Sequence, residues 1–180
     1  MISLRSNITK EVLADMFLRP SVSFYVNELA RKHGLDSGNL TRKLRELESE
    51  GILKSETRGR ERYYSLNKSY SLLDEYRRIV LKTVGVEVSL KTVLESVPGI
   101  KHAYIFGSYA ANNMDSHSDI DVLAVGEHRA LDLQAKIAQL QKKLSREVNV
   151  TNLSSKEYEA KKKADHFIRN IENAPKVVLV

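Results

Sequence analysis

Two short stretches hold the side chains best suited to phosphate chemistry. They are Gly107-Ser108 and, about ten residues later, Asp119-Ile120-Asp121. Carboxylates are hard oxygen ligands, and two of them together suit Mg²⁺ or Mn²⁺. A nucleoside triphosphate carries about four negative charges, which must be neutralised before an oxygen nucleophile can reach phosphorus. Gly107 lets a phosphate approach the backbone closely, and Ser108 can donate to it from hydroxyl and amide. Alternation along a strand places Asp119 and Asp121 on one face, with Ile120 and Val122 turned into the core. His102, His117, His128 and His166 show no metal-ligand spacing. His117 falls in the intervening loop and is read as a surface residue.

Elements that could position these groups are legible around them. Leu90, Val93, Leu94 and Val97 repeat at helical spacing over residues 89–97, until Pro98 and Gly99 break the helix. Apolar runs at 100–106 and 120–125 predict two buried strands enclosing a loop of small polar residues. Leu133, Ile137, Leu140 and Leu144 predict an amphipathic helix over 131–144, followed by a strand at 147–150. One last helix is expected over 157–171, with a terminal strand or tail at 176–180. Together these predict a small α/β sheet covered by helices.

The segment FGSYAANNMDSHSDIDVLAVG resembles the DNA polymerase beta-like nucleotidyltransferase superfamily, in particular its minimal members. Their signature is Gly-Ser, about ten residues, then Asp-x-Asp. The resemblance implies that Asp119 and Asp121 hold Mg²⁺ or Mn²⁺ with a nucleoside triphosphate and are catalytic, and that Gly107 and Ser108 bind the nucleotide. It also implies a third carboxylate from a later strand. That strand reads REVNVTNL, so Asn149 stands at the expected place, and an amide cannot act as a general base. Glu147 lies on the same face, one pleat away. Relatives often carry Arg or Lys and then Gly in the loop, where this chain has Ala111 and Asn112.

The amino-terminal half has another pattern. A helix over 9–19, with Thr9 as cap and Pro20 as stop, precedes a second helix over 26–33 that Gly34 ends. Asp36 or Ser37 then caps a third helix reaching residue 50, with Leu40, Leu44 and Leu47 inward. Residues 52–54 and 63–66 alternate like strands, joined through Arg58, Gly59 and Arg60. Residues 9–67 resemble the winged helix-turn-helix domains of small bacterial and archaeal regulators. The likeness implies that the third helix enters the major groove of double-stranded DNA and that the hairpin reaches the flanking backbone. Ser37, Asn39, Thr41, Arg42 and Arg45 would then face DNA from the helix, and Arg58, Arg60 and Arg62 from the wing. Glu46, Glu48, Glu50 and Glu61 are assigned to the solvent side, away from phosphates. Winged helices also serve as protein-interaction modules, and that alternative stays open.

Charge distribution accords with a polyanionic partner for the first half. Residues 1–84 hold 16 Lys or Arg against 11 Asp or Glu, while residues 85–180 hold 13 against 12. The chain has no cysteine, which excludes disulfides and thiolate sites. No apolar run approaches the roughly 20 residues of a membrane span, and the start of the chain lacks a secretory pattern, so the cytoplasm is expected.

The fold class expected is therefore a two-domain α+β chain. Residues 1–68 form the winged helix, 69–86 a connecting helix suited to homodimer pairing, and 87–180 the nucleotidyltransferase-like mixed sheet with helices. Functional readings differ. The leading one is a DNA-binding transcriptional regulator whose second domain binds a Mg²⁺-nucleotide with weak or no transfer. The alternative is an active enzyme that moves a nucleotidyl group to a hydroxyl of a protein, RNA or small molecule. In a third, both domains are antitoxin-like interaction surfaces.

Overall fold

The computed structural model describes residues 2–115 and 118–180, so His117 lies outside the described residues. The chain divides into two compact units, Met1–Val86 and Glu87–Val180. Among the described residues no helix is long and apolar enough to cross a membrane.

The first unit opens with α1 (Asn7–Leu18), capped by Ser6, whose Oγ accepts from Thr9 N at 3.4 Å. The expected cap at Thr9 is thus corrected. Thr9 lies inside the first turn and is only 1% exposed, where its side chain packs instead of capping. Val12, Leu13, Met16 and Phe17 form the buried stripe. A two-residue strand, β1 (Phe24–Tyr25), leads into α2 (Val26–His33). Gly34 ends α2 in the left-handed conformation at φ 62°, as its lack of a side chain permits. Asp36 then caps α3 (Ser37–Ser49) by accepting from Asn39 N at 2.8 Å. Leu40, Leu44 and Leu47 are the buried residues of α3.

Next come β2 (Leu53–Arg58) and β3 (Glu61–Leu66), an antiparallel hairpin in which Arg58 pairs with Glu61. Both strands run further than the expected 52–54 and 63–66. Their outer halves are polar on both faces, so no apolar alternation marks them. β1 joins β3, giving the order β1-β3-β2. α4 (Leu73–Thr83) buries Tyr76, Val80 and Leu81, and the Tyr76 hydroxyl accepts from Ile2 N at 3.0 Å. Leu72 and Ile79 stay about half exposed.

Within this unit α1 carries a buried charge. Asp15 is 4% exposed, and its carboxylate receives Arg19 Nη2 at 2.6 Å and Lys32 Nζ at 2.7 Å, with His33 Nε2 at 3.3 Å. Burial alone would raise this carboxyl, but hydrogen bonds from His33, Lys32 and Arg19 outweigh it and hold the pKa at about 2.

The second unit follows the order α5 (Val86–Glu95), β4 (Ile100–Phe106), α6 (Gly107–Ala110), β5 (Ile120–Gly126), α7 (Ala130–Leu144), β6 (Val148–Leu153), α8 (Ser155–Ala164), α9 (His166–Asn173) and β7 (Val177–Val178). Its sheet runs β6-β5-β4-β7, with β5 and β6 parallel and the other pairs antiparallel. Lys136 of α7 donates to Ser96 Oγ at 2.8 Å, tying α7 to the end of α5. On one sheet face Leu123, Val125 and Leu153 pack with Tyr158, Ile168 and Ile171, and Tyr104 and Phe106 lie against that cluster.

The single helix expected over 157–171 is two helices. Asp165 ends α8 in an extended conformation and caps α9 by accepting from Ile168 N at 3.1 Å. A carboxylate preceding Ile168 and Ile171 stabilises a new start more than continuation. α8 itself starts with a capping box between Ser154 and Glu157.

Candidate nucleotide and metal site

The antiparallel register of β4 and β5 sets Phe106 opposite Asp121, so the turn after β4 arrives beside the acidic pair. Gly107 adopts φ +71°, and a Cβ placed on it would stand 2.6 Å from Asp121 Oδ2. Glycine suits this position, because a side chain would be strained at that φ and its Cβ would displace the Asp121 carboxylate. Ser108 follows, half-buried, and its carbonyl accepts from Asn113 N at 2.8 Å, which folds the loop back. Asn112 takes φ 55°. An asparagine tolerates the left-handed conformation, so this turn forms without a glycine.

Asp119 immediately precedes β5, and Asp121 lies within it; both are half-buried. Parallel pairing aligns Asp121 with Asn149 of β6. Asn149 Nδ2 donates to Asp119 Oδ2 at 3.1 Å. The three side chains therefore gather at one point. Burial pushes the Asp121 carboxyl above its ordinary value and the Asp119 charge adds to this, while a hydrogen bond from Asn149 pulls it back. Glu147 is exposed at the entrance to β6, where its carbonyl accepts from Ile120 N at 3.0 Å. Among the described residues no group of three or more acidic or histidine side chains gathers to hold a metal. The acidic pair has an amide as its third member.

Sequence reasoning missed Arg146. This residue is 8% exposed, and its guanidinium donates to the carbonyls of Ser118 at 2.9 Å and Asp115 at 3.0 Å. It fastens the residues just before Asp119. Asp115 Oδ1 also accepts from Ser118 N at 2.8 Å. The only hint in the sequence is an arginine next to a strand, a signal too common to single it out.

The residues expected to face DNA divide into paired and unpaired groups. Ser37, Asn39, Arg42 and Arg45 are exposed on α3, and Thr41 is half-buried with its hydroxyl donating to Ser37 O at 2.7 Å. Thr41, Arg42 and Arg45 line one surface depression with Gly38, Ser49 and Glu46. Glu46, assigned to the solvent side, stands one helical turn from Arg42, whose Nη1 donates to it at 2.9 Å. On the hairpin, Arg62 pairs with Glu48 at 2.8 Å and lies over Tyr64, while Arg58 pairs with Glu56 and lies over Tyr63. Arg60 occupies the turn between the strands.

The sequence profile of the family described as "Polymerase beta, Nucleotidyltransferase" matches residues 89–177. A protein of Methanocaldococcus jannaschii named as a protein adenylyltransferase is 44% identical over 59 residues, covering 32% of this chain and 63% of that relative. The match thus spans less than two thirds of the relative's length. Among solved structures, a toxin-antitoxin with AMP-PNP is similar at a TM-score of 0.40 and 18% identity, covering 52% of this chain and 72% of the other. A Sulfolobus solfataricus structure titled as a nucleotidyltransferase is similar at 0.35 and 22%, covering 62% and 87%.

Proposed function

We propose, for a chain whose second unit carries a Polymerase beta-like nucleotidyltransferase domain, that this unit moves a nucleotidyl group from a nucleoside triphosphate to a hydroxyl on a protein acceptor, the hydroxyl oxygen bonding to the α-phosphorus as the α–β anhydride breaks and pyrophosphate leaves. The observation that carries the proposal is the meeting of Asp119 and Asp121 beside the side-chain-free turn at Gly107. The name of the M. jannaschii relative supports the acceptor class.

The donor set suits a divalent cation. Two carboxylates sit close enough for one charge to raise the other's pKa, a repulsion that Mg²⁺ or Mn²⁺ would relieve. Asp119 and Asp121 would hold the ion, which when bound neutralises triphosphate charge and polarises the phosphoryl oxygens. Gly107 would admit a phosphate against the backbone, and Ser108 would donate to it. Asn149 donates to Asp119 and cannot take a proton from the attacking hydroxyl, so that proton passes to solvent. Loss of a positioned base costs about 10² to 10⁴ in rate, which makes this a slow transferase.

Incubating the full chain with labelled ATP, Mg²⁺ or Mn²⁺ and acceptor proteins should place label on a protein hydroxyl, and Asp119→Ala or Asp121→Ala should abolish it. Absence of label in every acceptor, with metal-dependent ATP binding retained, would remove transfer and leave only a nucleotide-binding unit.

A second reading concerns the first unit, which we propose is a winged helix-turn-helix that binds double-stranded DNA. It is supported by the exposed Arg42 and Arg45 on α3, directly after the turn at Gly34, and by the hairpin that follows. In that reading Leu72 and Ile79, exposed on α4, are the surface through which a homodimer would form.

A further inference from the structure

α9 carries an aromatic ring that its own core does not use. Ile168 and Ile171 of this helix are buried, whereas Phe167 stays 47% exposed among the exposed His166, Arg169 and Asn170. Single exposed apolar residues are ordinary, so exposure alone says nothing. Its neighbour is what matters. Phe167 meets Phe106 edge to face, with centroids 5.6 Å apart and planes at 80°. Phe106 in turn stands opposite Asp121 in the antiparallel register, and opposite residues in such a pair project from the same sheet face. Asp121 and Phe106 thus share one sheet face, and the half-exposed ring of Phe167 on α9 stands against that face at Phe106.

We propose that Phe106 and Phe167 form the nucleobase platform of the site, with the base of the triphosphate stacking on the exposed ring of Phe167. This rests on the nucleotide reading of Asp119 and Asp121. A triphosphate anchored at those carboxylates directs its sugar and base outward, and a flat apolar ring on the same face offers the base burial that water cannot. Stacking on an aromatic side chain tolerates any base and contributes about 1 to 3 kcal/mol. Purines, with the larger ring system, bind more tightly than pyrimidines here. Phe106 fixes the orientation of Phe167 through their edge-to-face contact.

Binding of ATP, CTP and inorganic tripolyphosphate to the full chain with Mn²⁺ tests the assignment. Phe167→Ala should weaken ATP about tenfold and leave tripolyphosphate unchanged, because the latter has no base. The chain contains no tryptophan, so Phe167→Trp installs a single tryptophan, whose fluorescence, excited selectively over tyrosine, ATP should quench and tripolyphosphate should not. Equal affinity for ATP in Phe167→Ala and the parent chain, or equal losses for ATP and tripolyphosphate, would overturn the platform while leaving the acidic site intact. Failure of the parent chain to bind either compound would overturn the nucleotide reading and the platform with it.

Discussion

The Asp121 carboxylate occupies the space that a side chain on Gly107 would need. Its Oδ2 lies 2.6 Å from the ideal Cβ position, and Gly107 holds φ +71°. The turn that would receive phosphate and the acid that would receive metal are therefore fitted to each other. Gly107→Ala brings a steric clash together with a backbone conformation costing about 1 kcal/mol or more in a residue with a side chain. Expected is loss of Mn²⁺-dependent ATP binding by at least tenfold with little change in the circular dichroism spectrum. Calorimetric titration of the variant reads the loss, and an unchanged affinity would place the phosphates elsewhere.

Asn149 makes a separate prediction, because its register with Asp121 sets it where a third acid would complete the donor set. Asn149→Asp replaces a hydrogen-bond donor to Asp119 with another negative charge. Divalent-metal affinity and transfer rate should both rise, the latter by tenfold or more, at a cost in stability of the metal-free chain from carboxylate repulsion. Because burial and Asp119 raise the Asp121 carboxyl, metal binding in the parent chain should weaken as pH falls towards the upper carboxylate range. A rate below the parent's would show that Asn149 contributes something an acid cannot.

How far these relationships could be read from the chain differs between the elements. The acidic pair and the Gly-Ser turn were legible because strand alternation and glycine's permissiveness are local. The meeting of Asn149 with Asp119 required only the parallel pairing of neighbouring strands. Arg146 was not legible, since its partners are backbone carbonyls of residues 115 and 118 and carbonyls have no sequence identity. The break at Asp165 was hidden by a continuous helix-compatible run on either side, although an aspartate three residues before Ile168 is a cap signal. β1 was too short for alternation to show, and Phe24 and Tyr25 belong to the sheet only through Tyr64 and Tyr63.

The first unit should lose stability at low pH for an identifiable reason. With the folded pKa of Asp15 held at about 2 against an ordinary value of 3.8, its contribution is complete above about pH 4 and disappears as pH falls towards 2. Asp15→Asn should cost about 2 kcal/mol at pH 7, a figure reduced because Arg19 and Lys32 keep some solvent contact. The variant should also show a flatter stability profile between pH 4 and 2. Urea unfolding at pH 7, 4 and 2 measures both. A parallel pair of profiles would mean that other carboxylates govern acid unfolding.

DNA binding, if α3 performs it, must compete with ion pairs already made. Arg42 is engaged by Glu46 and Arg62 by Glu48, so a phosphate gains these guanidiniums only by displacing exposed carboxylates. Exposed pairs of this kind are worth about 1 kcal/mol or less, a barrier that duplex charge overcomes at low salt and less readily at high salt. Binding should therefore be steeply salt-dependent, with each phosphate contact adding about 0.9 to the slope of log K against log salt. Arg42→Glu with Arg45→Glu should reduce that slope by about 2 and weaken binding at every salt concentration. Glu46→Gln frees Arg42 and should strengthen binding. Fluorescence anisotropy on a labelled duplex across a salt series gives both slopes. If the double reversal leaves slope and affinity unchanged while Glu46→Gln has no effect, α3 does not face DNA and the exposed arginines serve a protein partner instead.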